Sequence, residues 1–153
     1  MSDTKRIQDQ LRRAHEGNAW HGPAVKELLA DVSAAQAARR PIAGAHSVWE
    51  LVLHIEAWMR AATQSLTAGQ PMPTLPWEGD WRAVNETSEA AWTATLASLD
   101  RTVRELLEAV GGFPEARLKE KVPGREYSYG FLLDGVVQHN LYHAGQMALL
   151  KKS

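Results

Sequence analysis

The stretch YGFLLDGVVQHNLYHAGQMALL, residues 129–150, decides the fold. Phe131, Leu132, Leu133, Val136, Val137, Leu141, Met147, Leu149 and Leu150 put apolar side chains on nearly every side of a helix, and such a helix must be covered on every side. Lys151 and Lys152 suit the negative end of its dipole. Upstream, Trp92, Leu96, Leu99, Val103, Leu106 and Val110 repeat at spacings of three and four. They predict a helix over about 87–110, starting near Asn85, Thr87 or Ser88 and ending at Gly111-Gly112. Ser47-Val48-Trp49-Glu50 reads as a capping box opening a helix over about 48–68, with Gly69 as its stop. Residues 3–17 carry Ile7, Leu11 and Ala14 at helical spacing and stop at Gly17. No segment shows the sustained alternation of apolar and polar residues that marks a strand. The reading is all-α: a four-helix bundle forming a single domain over residues 1–153.

The connections carry their own signals. After Trp20-His21-Gly22, Pro23 can occupy the first position of a short helix bearing Val25, Leu28, Leu29 and Val32, followed by an Ala-rich run to Pro41. The segment PMPTLPWEGDW, residues 71–81, is too proline-rich to be helical, and FPEARLKEKVPGREYS, residues 113–128, reads as an irregular excursion. Full cover for the last helix requires either these inserts or a second subunit, so a symmetric homodimer is expected.

Composition removes several classes of function. A chain of 153 residues can bury one core without staples. With 17 Lys plus Arg against 18 Asp plus Glu, interspersed, there is no phosphate-neutralising patch, and no nucleic-acid partner is expected. The absence of cysteine excludes disulfides, thiolate metal sites and a cysteine nucleophile, so any metal must be held by His, Asp or Glu. The charged start MSDTKRIQDQLRR and the short apolar runs give neither a leader nor a membrane span, and a cytoplasmic protein is expected.

Histidine interrupts the apolar stripes. Leu132, Val136, His139, His143, Met147 and Leu150 form one inward line on the last helix, and Leu51, His54, Trp58 and Ala62 form another on the second. His139 and His143, four apart, stack on one helix face, the spacing that offers two ligands to one ion. Burying three imidazoles together without partners is costly, and a divalent cation removes the conflict. Three protein ligands leave positions open for water or substrate. The metalloprotease pattern needs Glu after the first His, whereas this chain has Asn140 there. Glu50, one turn before His54, is the acidic candidate, and its capping role explains it. Gln138, Asn140, Tyr142 and Gln146 are candidates to hydrogen-bond the ligands. Trp58 is expected to pack against the site, and Trp20, His21 and Gln146 are candidates for the substrate pocket. His15 and His46 read as surface or capping residues.

The stretches WHGPAVKELLADVS, AHSVWELVLHIEAW and DGVVQHNLYHAGQMALLKK resemble the DinB-like (YfiT-like) metalloenzyme superfamily over essentially the whole chain. The resemblance implies an up-down-down-up bundle, usually a homodimer, with zinc or nickel held by His54, His139 and His143. It also implies a metal-dependent transferase that uses a low-molecular-weight thiol on a small-molecule electrophile. A metal-dependent hydrolase and a non-catalytic metal-binding or stress-response dimer are the alternatives.

Overall fold

The computed structural model describes residues 1–153. It is all helical: α1 (Asp3–Glu16), α2 (Val25–Leu29), α3 (Ala34–Ala38), α4 (Val48–Ala68), α5 (Glu89–Gly112) and α6 (Tyr129–Lys151), with a 3-10 turn at Glu115–Lys119. Each of the four long helices opens on a serine whose side chain accepts a backbone N–H three residues on: Ser2 from Lys5, Ser47 from Glu50, Ser88 from Ala91 and Ser128 from Phe131. Such a cap is worth about 1 kcal/mol. The box at Ser47 closes as expected, because Glu50 also accepts from the Ser47 amide at 2.7 Å.

α5 ends where the sequence reading places it, with Gly111 and Gly112 as its last two residues and Phe113 as the cap. Gln8 of α1 explains Gly111: its Nε2 donates to Leu107 O at 2.7 Å, and a Cβ at position 111 would lie 2.4 Å from that nitrogen. The glycine permits α1 to approach α5 closely. Phe113 then turns inward onto Tyr129, ring centroids 4.8 Å apart, which starts the excursion toward α6.

Helix direction can be read from the cross-bundle hydrogen bonds. Trp49 pairs with Thr95 and Glu56 with Ser98 and Thr102, so α4 and α5 run parallel. Met59 pairs with Asn140 and Ser65 with Tyr129, so α6 is antiparallel to α4. Gln8 meets Leu107 and His15 meets Asp100, so α1 is antiparallel to α5. The order is therefore up-down-down-up, with α1 diagonal to α4. Parallel neighbours cannot be joined by a tight turn, so residues 69–88 must travel back along the bundle, which places that connection over the α4–α6 face.

The core is a continuous apolar cluster with Val52, Ile55 and Leu133 fully buried. The insert helices α2 and α3 close one side, with Trp92 Nε1 donating to Val32 O at 2.7 Å. Within one chain the cover of α6 is incomplete: Phe131 and Tyr142 are each 67% exposed and Leu149 60%. Two polar residues lie unexpectedly deep. His15, read from sequence as a surface residue, is only 4% exposed because α1 packs on α5, where its Nε2 meets Asp100 Oδ1 at 2.8 Å. Glu56 is buried between α4 and α5 and is held by Ser98, Arg60 and Arg82.

Candidate metal centre

Because α4 and α6 are antiparallel, the middle of one stripe faces the middle of the other. His54, His139 and His143 meet there, with all candidate ligand atoms within 4.8 Å of one another. His139 Nε2 lies 2.9 Å from His54 Nε2 and 3.1 Å from His143 Nε2. The outer nitrogens of the flanking rings are occupied. His54 Nδ1 donates to the Asp80 carbonyl oxygen at 2.8 Å, with the Asp80 carboxylate 3.1 Å away. His143 Nδ1 donates to Gln146 Oε1 at 2.6 Å.

These bonds fix the tautomers and turn both flanking Nε2 lone pairs toward the third ring. The three rings cannot satisfy one another, because a neutral His139 has at most one proton to offer to two acceptors. Protonation is no remedy. Burial first, and then the two neighbouring imidazoles, pushes His139 down to about 3, and burial lowers His54 and His143 as well. Three neutral imidazoles with converging lone pairs are the donor set that a cation with metal–nitrogen bonds of about 2.0–2.1 Å accepts. The residues fit a divalent metal ion.

The connection 69–88 supplies what sequence reading missed. Asp80 accepts from His54 and also from Trp58 Nε1 at 2.7 Å, tying the ligand to the tryptophan beside it. Trp81 stacks on His54 with centroids 3.8 Å apart, and on its other face on His46 at 3.5 Å. His46, read from sequence as a capping or surface residue, therefore belongs to a three-ring stack behind the cluster. Arg82 anchors this stretch by donating to Leu53 O and Glu56, which joins the buried glutamate to the placement of Asp80. The only signal in the sequence was composition, an acid between glycine and tryptophan in an aromatic loop.

The remaining sequence candidates divide. Trp58 lies edge-on to His54 at 6.5 Å and to His139 at 6.3 Å. Gln146 contacts His143 directly. Tyr142 lies edge-on to His143 at 5.1 Å. Gln138 is exposed, and Asn140 faces the core, donating to Met59 Sδ. Trp20 is fully exposed, and His21 lines a groove with Leu28, Leu141 and Lys151. Neither is brought to the histidines, because their connection leaves α1, diagonal to α4, and packs on the opposite flank of α6.

A cavity of about 450 Å³ opens on His54 and His139, walled by Trp58, Met72, Leu75, Phe131, Leu132 and Val136, with Asp80 at its edge. A second, also about 450 Å³, lies behind Trp81 and His143 and is bordered by His46, Tyr142 and Gln146. The first is apolar and contains no cationic side chain.

Removing the Asp80 carboxylate tests its grip on His54. Asp80→Ala, which leaves the backbone carbonyl on His54 Nδ1, is expected to weaken metal binding about tenfold, the low end of the usual cost of disturbing a partner behind a ligand. Competition against a chelating dye measures this, and wild-type affinity in the variant would limit Asp80's part to its backbone carbonyl.

The family model described as the DinB superfamily matches residues 18–147. No curated protein and no solved structure matches the chain. No helix is long and apolar enough to cross a membrane.

Proposed function

The chain belongs to the DinB superfamily, a metal-binding family, and from that premise we propose that it is a metal-dependent transferase joining a low-molecular-weight thiol to a small electrophile. His54, His139 and His143 are the proposed ligands, and zinc or nickel the proposed ion. When bound, the ion would lower the pKa of a thiol and hold it as the nucleophilic thiolate.

The chain's own residues contribute the surroundings. The histidines are neutral and need no deprotonation before they bind. Asp80 and Gln146 hold two of the rings in the required tautomer. Trp58, Leu132 and Val136 keep water from one side of the cluster and offer an apolar surface to the electrophile. In the reaction the sulfur forms a bond to the electrophilic carbon as the leaving group departs with its electron pair. The protein has no cysteine and supplies no thiol of its own.

The observation that carries this reading is a cluster of three neutral histidines opening on an apolar cavity with no free acid beside it. Water-directed hydrolysis would benefit from a general base, and the one carboxylate at the cavity, Asp80, is committed to His54 and Trp58. We also propose that the chain is a homodimer through the exposed Phe131, Tyr142 and Leu149 of α6. A monomer in analytical ultracentrifugation would contradict this.

The test of the activity uses zinc- or nickel-loaded protein, glutathione, bacillithiol or mycothiol, and 1-chloro-2,4-dinitrobenzene, with the conjugate read by mass spectrometry. Metal-dependent conjugation with at least one thiol is expected. If none reacts faster than with metal-stripped protein, the transferase reading fails and hydrolysis or metal storage replaces it.

A further inference from the structure

On the other side of the 69–88 connection, away from the histidines, a groove of about 390 Å³ lies between that connection and α4. Arg60, Arg82, Gln64, Gln70, Trp77 and Gly79 form the part that matters, and no carboxylate lines it. Gly79 is required by its shape, because a Cβ there would lie 2.4 Å from the Trp77 ring.

The two arginines are held at one end only. Arg60 Nη2 donates to Glu56 at 2.7 Å and to Thr102 at 3.2 Å. Arg82 Nη2 donates to Glu56 at 2.8 Å and to Leu53 O at 3.3 Å. The Nε and Nη1 groups of both make no hydrogen bond within the chain, and both side chains are about half exposed, at 47% and 44%. A third guanidinium, Arg101, joins the network through Ser98, which itself bonds to Glu56. Two positive charges thus pair with one buried carboxylate, and Glu56 is the only carboxylate that pairs with either of them. The excess charge is held in place, with its unused donors in a concave site.

We propose that this groove binds a small oxyanion, a carboxylate or a phosphate, between Arg60 and Arg82, with Gln64 and Gln70 available to the rest of the ligand. With Nη2 committed to Glu56, each guanidinium keeps its Nε–H and Nη1–H groups as charge-assisted donors that oxygens of either anion can accept singly. Glu56 fixes both guanidiniums in advance, which lowers the ordering cost of binding. The site does not depend on the histidine cluster, since Trp58 and Trp77, with ring centroids 5.3 Å apart, stand between the two cavities.

Calorimetry on metal-stripped protein, with inorganic phosphate in one arm and benzoate in the other, tests the proposal and separates the two anion sources. Saturable binding of at least one is expected, weakened about tenfold in Arg60→Gln, the effect of losing one charge-assisted contact, and unchanged in the distant Lys121→Gln. Gln64→Ala, which lies outside the Glu56 network, should weaken binding without loss of fold and so guards against an Arg60 variant that unfolds. No saturable binding in either arm would overturn the site. So would wild-type binding in both Arg60→Gln and Gln64→Ala, which indicates a general salt effect, or binding that appears only when metal is restored, which places the anion at the histidines.

Discussion

His143→Ala is expected to lower affinity for zinc or nickel by more than about 100-fold, a larger loss than follows from changing a partner behind a ligand. His143 is 5% exposed, so its ring is held by packing as well as by Gln146. Alanine removes one of three converging nitrogens and leaves His54 and His139 as a pair. Competition titration against a chelating dye reads the loss, and circular dichroism establishes that the helices remain. An affinity within a few-fold of wild type would mean that the ion sits elsewhere.

The metal-free protein should lose stability in mild acid. His139 is held at about 3 when folded, against about 6.5 in an unfolded chain. Between those values the unfolded state binds a proton that the folded state does not, so the contribution is complete above pH 6.5 and falls as pH drops. From pH 7 to pH 5, His139 alone should cost about 1–2 kcal/mol after allowance for its partial exposure. His15, His54 and His143 are lowered by burial too and act in the same direction. The lowered carboxylates, Glu56 among them, add their loss only at more acidic pH. Urea unfolding at stepped pH measures the slope. His139→Leu should flatten it, and a wild-type profile with no slope between pH 7 and pH 5 would contradict the buried neutral cluster.

The parts of the fold readable in the sequence were those set by local chemistry. Ser47 and Glu50 specify a helix start through hydrogen bonds that span only three residues, and the three-and-four spacing of Trp92 through Val110 specifies a buried face. The histidine cluster was readable for the same reason, because imidazoles on an apolar stripe need partners and two such stripes meet in an antiparallel pair. Long-range geometry was not readable. Gly111 and Gly112 mark the end of α5 locally, but the close approach of Gly111 to Gln8 depends on α1, more than a hundred residues earlier. Asp80, Trp81 and His46 come together only because two parallel helices oblige the connection between them to cross the cluster. His15 looked like a surface or capping residue because its partner, Asp100, lies on another element, and the burial of Glu56 depends likewise on Ser98 and Arg82.

The measurement that bears most directly on the central claim is the titration of metal-stripped wild-type protein with zinc and with nickel, followed by calorimetry and elemental analysis. The geometry predicts one ion per chain, with X-ray absorption showing three imidazole nitrogens at about 2.0–2.1 Å. Saturation well below one ion per chain, or a first shell without imidazole, would contradict the assignment of His54, His139 and His143.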